Sequence, residues 1–284
     1  MPSLLRFEKV CVTFDGTVHA LKNLSFDVEQ GQTRILLGAA GSGKTVLLKT
    51  AMGLNRPETG RVFLFDQDIT EMSEQRLFEV RGKVGMLFQE SALFDSMTIA
   101  QNVAYPLLNQ KSPSPNPKAG KIKKEDLEEE VRNSLRFVEL EHTMERYPSE
   151  LSGGMRRRAA IARAVVTKPP LLLYDSPTAG LDPITAHTIM ALIIKERDVD
   201  QTTALVVTHR YQDGNLVANF RYNPESGRLD PAGEKGTGTI YMVLREGELV
   251  FEGSQADLEK SKDPYINKFV KRPEQEEIGL AATE

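Results

Sequence analysis

Residues 38–45 of this 284-residue chain read Gly38-Ala39-Ala40-Gly41-Ser42-Gly43-Lys44-Thr45. This stretch decides the fold because it fits G-x-x-x-x-G-K-[ST], a pattern whose backbone N–H groups wrap phosphate oxygens. An apolar strand, Ile35 to Leu37, precedes it, and apolar residues at helical spacing follow from Val46. Strand, loop and helix in this order predict a phosphate-binding loop, in which Lys44 reaches the β- and γ-phosphates and the Thr45 hydroxyl binds magnesium.

Further strands and helices continue this pattern along the chain. Two apolar stretches, Leu171 to Tyr174 and Ala204 to Val207, flank a predicted helix from Pro183 to Arg197, which Asp182 would cap. Strands that alternate with helices predict a parallel sheet covered on both faces. Near-alternating apolar residues between positions 4 and 37 predict several short strands at the start of the chain.

A helical region and three polar segments interrupt this core. Apolar residues at helical spacing, which are Leu127, Val131, Leu135 and Val138, predict a helical lobe in the middle of the chain. Residues 110–124 hold three prolines and five lysines and predict an exposed loop. Residues 222–238 predict a surface excursion, and the polar tail from Lys271 predicts a frayed end.

Composition and charge exclude several classes of protein. A formal net charge of −4 disfavours direct binding to nucleic acid. The lone cysteine, Cys11, excludes an intramolecular disulfide and is expected to be inert strand packing. No apolar run approaches the roughly 20 residues of a membrane helix, and Arg6, Glu8 and Lys9 interrupt any secretory signal. These features predict a cytoplasmic location.

Two more motifs lie further along the chain. Leu171-Leu172-Leu173-Tyr174-Asp175 is an apolar strand that ends in a carboxylate suited to a magnesium shell. Leu151-Ser152-Gly153-Gly154-Met155 carries the glycines and serine of a second anion-binding nest at a helix start. With residues 38–45, these motifs make residues 4–270 resemble the ATPases of the ABC transporter family.

The resemblance implies an α/β fold with a P-loop NTPase core at about 4–90 and 160–255. It also implies an antiparallel β subdomain, an inserted α-helical subdomain at about 91–159, and a polar tail at 271–284. Two chains, or this chain and a homologous subunit, would sandwich ATP and Mg²⁺ and drive an integral membrane permease from the inner face of the cytoplasmic membrane.

The resemblance also gives a role to each residue that matches a family motif. Leu151 to Met155 resembles the signature motif, which clamps the γ-phosphate of ATP held by the opposite subunit. The implied ATP-binding residues are Phe14, Gly38, Ala39, Ala40, Gly41, Ser42, Gly43, Lys44, Thr45 and Val46, of which Phe14 would stack on adenine. The implied magnesium contacts are Thr45, Gln89 and Asp175, the D-loop residue is Asp182, and His209 would read the γ-phosphate.

A narrower resemblance rests on residues 86–94 with 102–107, and on 149–155 with Arg157-Arg158-Ala159. These stretches resemble the ATPases of Mla and Mce-type lipid-trafficking transporters, and Met155, where glutamine is usual, is part of that likeness. The implied partners are a permease and, through it, an Mce-type lipid-binding protein. Leu93 and Phe94 would either contact the permease or pack inside the helical lobe. Arg156 to Arg158 are expected to form a solvated or salt-bridged helix face.

Two positions depart from the family pattern. Ser176 stands where the family places the glutamate that polarises the attacking water, and Val46 replaces a second hydroxyl. A neutral hydroxyl cannot act as that base, whose help is worth about 10²–10⁴ in rate. The first interpretation is a slow ATPase that relies on His209 and Gln89. The alternatives are a subunit that binds ATP without turnover, and a non-transport ABC protein, which the absence of basic character and of a second cassette disfavours.

Overall fold

The computed structural model describes residues 2–109, 124–233 and 236–270, and within them it has twelve strands and nine α-helices. The strands are β1 (Ser3–Phe14), β2 (Val18–Glu29), β3 (Thr33–Leu37), β4 (Thr59–Leu64), β5 (Gln67–Asp68), β6 (Val84–Leu87), β7 (Leu171–Asp175), β8 (Thr203–Thr208), β9 (Phe220–Asn223), β10 (Arg228–Pro231), β11 (Ile240–Arg245) and β12 (Glu248–Gly253). The helices are α1 (Lys44–Ala51), α2 (Glu74–Arg81), α3 (Ile99–Asn109), α4 (Lys124–Phe137), α5 (Gly153–Val165), α6 (Pro183–Asp200), α7 (Tyr211–Asn219), α8 (Gln255–Glu259) and α9 (Pro264–Val270).

Six strands form the central sheet in the order β12-β11-β3-β8-β7-β6. All neighbours pair in parallel except β12, which runs antiparallel to β11. The pairing sets Leu37 beside Thr208, and Asp175 beside Val207. Because the strands share a direction, the loops after β3, β8, β7 and β6 leave the sheet at the same edge. The predicted parallel sheet is confirmed, and its carboxyl edge collects the motifs that the sequence singled out.

Alternate residues of the central strands enter two separate cores, one on each face of the sheet. Leu36 and Leu205 belong to the core that β1, β2, β4 and α1 share. Ile35 and Val206 belong to the core built with α5, α6 and the helical subdomain. All five residues of β3 are buried, because a parallel strand with helices or a second sheet on both faces has no wet side.

The first 29 residues differ in detail from the prediction of several short strands. They form two twelve-residue strands, β1 and β2, in a four-stranded antiparallel sheet of order β2-β1-β4-β5. Register shifts interrupt the β1–β2 ladder, and Lys9 and Asn23 adopt φ of 51° and 49° beside them. Such bulges displace the alternation of side chains along a strand. The imperfect apolar pattern therefore reflects long, bulged strands.

The helical subdomain consists of α3, α4 and α5, which pack against one another. Val131, Leu135 and Val138 are buried and Leu127 is half-buried, as their spacing predicted. Asn102 is fully buried at the start of α3. Its amide donates to the carbonyl oxygens of three residues in the preceding turn and accepts the N–H of Phe94. This side chain therefore fixes the entry of the chain into the subdomain.

Leu93 and Phe94 differ in their burial. Leu93 packs against the core of the helical subdomain, as the packing alternative stated. Phe94 is 40% exposed and lies against Tyr105, with 4.7 Å between the ring centroids. An exposed aromatic pair thus remains on the surface of this subdomain.

The described residues of the segment at 222–238 are all exposed or half-buried, in agreement with the predicted surface excursion. Its first part forms a β9–β10 hairpin, and β9 packs on α6 and α7. The hydrogen bond from the Tyr222 N–H to the Asp198 carboxylate anchors this hairpin to the C-terminal end of α6. Residues 234–235 lie outside the described residues, as do the predicted loop at 110–123 and the tail at 271–284.

None of the helices in the described ranges is both long enough and apolar enough to cross a membrane. The longest, α6, has 18 residues and carries charged side chains near its C-terminal end.

Glu196 is a buried acid of α6 with a predictable effect on stability. It is 2% exposed, and burial, with a smaller contribution from Asp200, raises its pKa to about 8. Between about pH 4.5 and 8 the folded chain holds a proton that the unfolded chain releases, so stability falls as pH rises through this window. At about 1.4 kcal/mol per pKa unit, the penalty reaches roughly 3 kcal/mol near pH 7.

Replacing Glu196 by glutamine removes this ionisation. We therefore expect Glu196→Gln to raise the melting temperature more at pH 8 than at pH 5. Thermal unfolding at both pH values tests this, with Glu129→Gln, a change on the exposed surface of α4, as the control. An equal gain at both pH values would mean that Glu196 titrates normally in the folded chain.

Candidate functional site

The phosphate-binding loop predicted at residues 38–45 lies between β3 and α1. Gly41 and Gly43 adopt φ of 77° and 104°, a region that glycine enters at little cost. A Cβ atom on Gly43 would lie 2.4 Å from the Ala20 carbonyl oxygen of β2. The loop is therefore held against the antiparallel sheet, and glycine is required at position 43 both by the backbone angle and by this close approach.

Lys44 points back into the loop. Its Nζ donates to the carbonyl oxygens of Gly38 at 2.8 Å and Ala39 at 2.7 Å, and the residue is buried. Burial lowers the pKa of Lys44, and the negative charge of Asp175 partly offsets this effect. The ammonium group thus lies in the concave side of the loop, and its interaction with Asp175 brings the ends of β3 and β7 into one electrostatic site.

Asp175 and Thr45 supply oxygen ligands of the kind that magnesium prefers. Asp175 is 2% exposed at the end of β7, and Thr45 is half-buried in the first turn of α1. Mg²⁺ in nucleotide sites is held by one or two carboxylates together with phosphate oxygens and water, and not by a cage of acidic side chains. Among the described residues no group of three or more His, Cys, Asp or Glu forms such a cage. The residues present therefore fit a magnesium ion that arrives with a nucleotide.

Ser176 occupies a constrained position next to Asp175. Its φ is 50°, its N–H donates to the Val207 carbonyl oxygen at 2.8 Å, and it is buried. Its hydroxyl donates to the Asp175 carboxylate at 3.1 Å. The side chain is thus directed at the carboxylate, and the backbone holds the turn against β8.

An aspartate that the sequence analysis missed joins two loops of this edge. The Oδ2 atom of Asp213, which is 2% exposed, accepts the hydroxyls of Thr178 at 2.6 Å and Thr208 at 2.7 Å. Thr178 follows β7, and Thr208 immediately precedes the exposed His209. Asp213 therefore ties the turn after Asp175 to the segment that presents His209. No sequence motif marks it, because its partners lie on separate elements.

Gln89 and Phe14 reach the surface near the same edge by different routes. Gln89 is exposed just after β6, and Leu87 of that strand pairs with Tyr174 of β7. Phe14 ends β1 and is 40% exposed. The β1–β2 hairpin that carries Phe14 approaches the phosphate-binding loop through Ala20.

The signature stretch, Leu151 to Met155, begins α5. Ser152 is the N-cap, and its Oγ accepts the Met155 N–H at 3.3 Å. A Cβ atom on Gly154 would lie 2.5 Å from the Thr185 side chain in the first turn of α6, which Asp182 caps. The starts of α5 and α6 are thus packed together. Among the described residues, no hydrogen bond joins Leu151–Met155 to the phosphate-binding loop.

The expectation of a solvated face at Arg156 to Arg158 was wrong for Arg157. Arg157 is 6% exposed, and its guanidinium donates to the carbonyl oxygens of Phe88, Gln89 and Ala179. Arg156 donates instead to the Leu151 carbonyl oxygen. Three consecutive charged residues favoured an exposed or salt-bridged face, whereas the loop after β6 covers the middle arginine.

The C-terminal helix α9 also reaches the phosphate-binding loop. The Tyr265 hydroxyl accepts the Ala39 N–H at 3.0 Å and donates to the Leu244 carbonyl oxygen at 3.0 Å. This hydroxyl links the loop to β11 from a residue that is 226 positions away from Ala39 in the sequence. Sequence patterns gave no indication of this contact.

The central parallel sheet, the glycine-rich loop before α1 and the carboxylate at the end of β7 together define a P-loop nucleotide-binding protein. A family model described as "ABC transporter" matches residues 21–179. The chain therefore belongs to the ABC transporter family and is an ABC-type ATPase. This confirms the family and fold class that the motifs predicted.

Named relatives and solved structures agree with this family. The chain is 38% identical over 249 residues to "Methionine import ATP-binding protein MetN 2" of Rhodococcus jostii, which covers 87% of this chain and 69% of that protein. It is 37% identical over 209 residues to "Methionine import ATP-binding protein MetN 1" of Bacillus thuringiensis, which covers 74% of this chain and 59% of that protein. This chain thus spans only part of the length of these relatives.

A solved structure shares this fold over most of the chain. The ATP-binding cassette MJ0796, described as a dimeric post-hydrolysis state bound to ADP and Pi, superposes with a TM-score of 0.73 at 27% identity. The match covers 88% of this chain and 98% of that one. CbiO1 of Clostridium perfringens, at 24% identity and a TM-score of 0.73, supports the fold alone.

Proposed function

We propose that the chain is the ATP-binding subunit of a membrane transporter, and that two such subunits close around ATP and Mg²⁺ to drive a permease. One observation carries the proposal. Four loops meet at one edge of the sheet, while the signature stretch opens a helix with no hydrogen bond to the phosphate-binding loop. A site split in this way is completed when the signature stretch of a second chain faces the loop.

Each residue at the edge has a proposed task. Lys44 binds the β- and γ-phosphates, and the backbone of residues 38–45 surrounds them. Thr45 and Asp175 hold the magnesium ion, which neutralises charge on the phosphates when bound. His209 and Gln89, at the exposed ends of β8 and β6, orient the attacking water. In-line phosphoryl transfer depends mostly on such positioning and electrostatic stabilisation.

Ser176 makes slow hydrolysis the expected mode. Its hydroxyl donates to Asp175, and a neutral hydroxyl does not abstract a proton from water. Positioning by His209 and Gln89 then supplies what catalysis there is. The alternative is a subunit that closes around ATP without turnover, which the same Ser176 favours.

The candidate cargo is inferred from the names of the relatives and from the sequence resemblance. The relatives reported above are named for methionine import, and they do not support the lipid-trafficking resemblance. An amino acid such as methionine is therefore the first candidate, with an outer binding protein in place of an Mce-type one. A phospholipid is the second candidate, favoured by Met155 and the stretches around residues 86–107. ATP hydrolysis by the reconstituted complex, stimulated by methionine or by phospholipid, separates the two.

The split site gives a direct test. We expect ATP with magnesium, but not ADP, to convert the purified chain from monomer to dimer in sedimentation velocity. Gly153→Glu is the variant chosen to block dimerisation. A Cβ atom there meets only the Leu181 side chain at 4.0 Å, so the monomer accommodates the change. This variant should bind ATP normally and stay monomeric, because its new charge would face the γ-phosphate of the partner chain. Equal dimerisation of both proteins would contradict the sandwich.

A further inference from the structure

Two arginines of α5 hold the loop that follows β6. Arg157 donates to the carbonyl oxygens of Phe88, at 3.0 Å, and Gln89. Arg163 donates to those of Ser91, at 2.8 Å, and Ala92, at 2.6 Å. Together they occupy four carbonyl groups of a five-residue segment.

The backbone of this segment needs such support. Ser91 and Ala92 adopt φ of 67° and 46°, a left-handed backbone region that is unfavourable for residues other than glycine. The Ser91 N–H closes a turn onto the Phe88 carbonyl oxygen at 2.9 Å. The segment therefore keeps its shape through contacts with α5 and does not rest on local preference.

Arg157 differs from Arg163 because it reaches a second functional loop. Its Nη2 atom donates to the Ala179 carbonyl oxygen at 3.4 Å, in the turn between Asp175 and Asp182. Of the described carboxylates, none lies within 4.0 Å of its guanidinium, although Asp175 and Glu90 act on it electrostatically at longer range. Burying a guanidinium without an ion pair is costly unless its N–H groups are satisfied, so these carbonyl bonds hold the three segments firmly.

We infer that Arg157 is a positioning residue that joins the signature helix, the Gln89 loop and the Asp182 loop of one subunit into a single moving unit. This inference rests on the proposed function for its catalytic consequence. When a second subunit binds the signature stretch, a displacement of α5 would move the loop that presents Gln89, because Arg157 connects the two. Arg163 also ties α5 to the loop after β6, but of these two arginines only Arg157 reaches the turn that leads to Asp182 as well.

Substitution of Arg157 separates this role from nucleotide binding. We expect Arg157→Met to lower kcat by roughly 10²-fold, because small misplacement of positioning groups has effects of that size, while the KM for ATP changes little. Arg157→Lys should recover part of kcat, since one ammonium group can donate to the Gln89 loop but lacks the planar fork that also spans to Ala179. Arg158→Met is the matched control, because its guanidinium lies on the same helix and donates to the Val138 carbonyl oxygen.

Amide hydrogen exchange without nucleotide tests the link independently of catalysis. In Arg157→Met, the Ser91 and Ala179 amides, which are hydrogen-bonded within their turns, should exchange faster than in the wild type and in Arg158→Met. Unchanged exchange at both amides in the Met and Lys variants would overturn the inference. So would faster exchange with an unchanged kcat. If the wild-type chain binds no ATP, only the proposed function is overturned. The exchange experiment is done without nucleotide, so it would still test whether Arg157 connects the three segments.

Discussion

Replacing Lys44 by alanine is expected to weaken ATP binding by about 100-fold or more. The Lys44 ammonium is the buried cation of the phosphate-binding loop, and it lies within the electrostatic reach of Asp175. Each hydrogen bond to a charged group is worth roughly 1.5–3 kcal/mol, and the lysine would supply at least one to the phosphates. Equilibrium titration with a fluorescent ATP analogue measures the change.

The control for this experiment is Lys49→Ala. Lys49 is exposed in the last turn of the same helix, so its loss removes a charge without touching the loop. Its affinity for the nucleotide should match the wild type. Lys44→Ala also deletes two hydrogen bonds to loop carbonyls, so its melting temperature must be compared first. A folded Lys44→Ala protein with unchanged affinity would show that residues 38–45 are not the phosphate site.

Ser176→Glu is expected to raise the rate of ATP hydrolysis by about 10²-fold or more. The substitution places a carboxylate beside Asp175, at the position where general-base assistance is typically worth 10²–10⁴ in rate. The backbone there already holds a non-glycine residue at φ 50°, and its N–H is hydrogen-bonded to the Val207 carbonyl oxygen. The glutamate side chain would therefore start from a well-defined backbone position. Phosphate release under saturating ATP measures kcat directly.

Ser176→Gln is the matched control because it has nearly the same shape without the carboxylate. It should remain as slow as the wild type, and Ser176→Ala should report separately on the lost hydrogen bond to Asp175. If Ser176→Glu and Ser176→Gln hydrolyse ATP at the same low rate, the edge of the sheet lacks some other catalytic group. The interpretation as a subunit that binds without turnover would then stand.

Much of the fold could be predicted because local signals carried it. The loop at 38–45 is contiguous, and the Asp182 cap of α6 acts on Ile184 and Thr185 a few residues away. The strands β3, β7 and β8 are buried throughout, and each contains a continuous apolar run that the sequence shows. In each case the residues that determine the structure are neighbours in the sequence.

The contacts that organise the site were less predictable. Arg157 meets Gln89 across 68 residues, and Tyr265 meets Ala39 across 226. Asp213 accepts from Thr178, which lies 35 residues earlier on another element. A single sequence does not indicate such pairings, because they depend on how distant elements, such as the helical subdomain and α9, pack on the sheet. Arg157 therefore read as an exposed helix position.

The narrower family resemblance shows a related difficulty. Met155 and residues 86–94 lie in motifs that are proposed to bind nucleotide or face a partner. Their resemblance to other proteins therefore indicates the type of ATPase more than the transported substrate. In the proposed transporter, the permease and an outer binding protein would select the cargo, so the ATPase motifs carry little information about it. The proposed roles of His209, Gln89 and the signature stretch likewise remain predictions that depend on a second subunit.

The decisive experiment measures steady-state phosphate release from ATP and magnesium by the wild type and by Lys44→Ala. We expect slow release by the wild type that exceeds release by Lys44→Ala, and a higher rate in the complex with the permease. Release no greater than that of Lys44→Ala, both for the chain alone and for the complex, would contradict the assignment of this chain as a working ATPase.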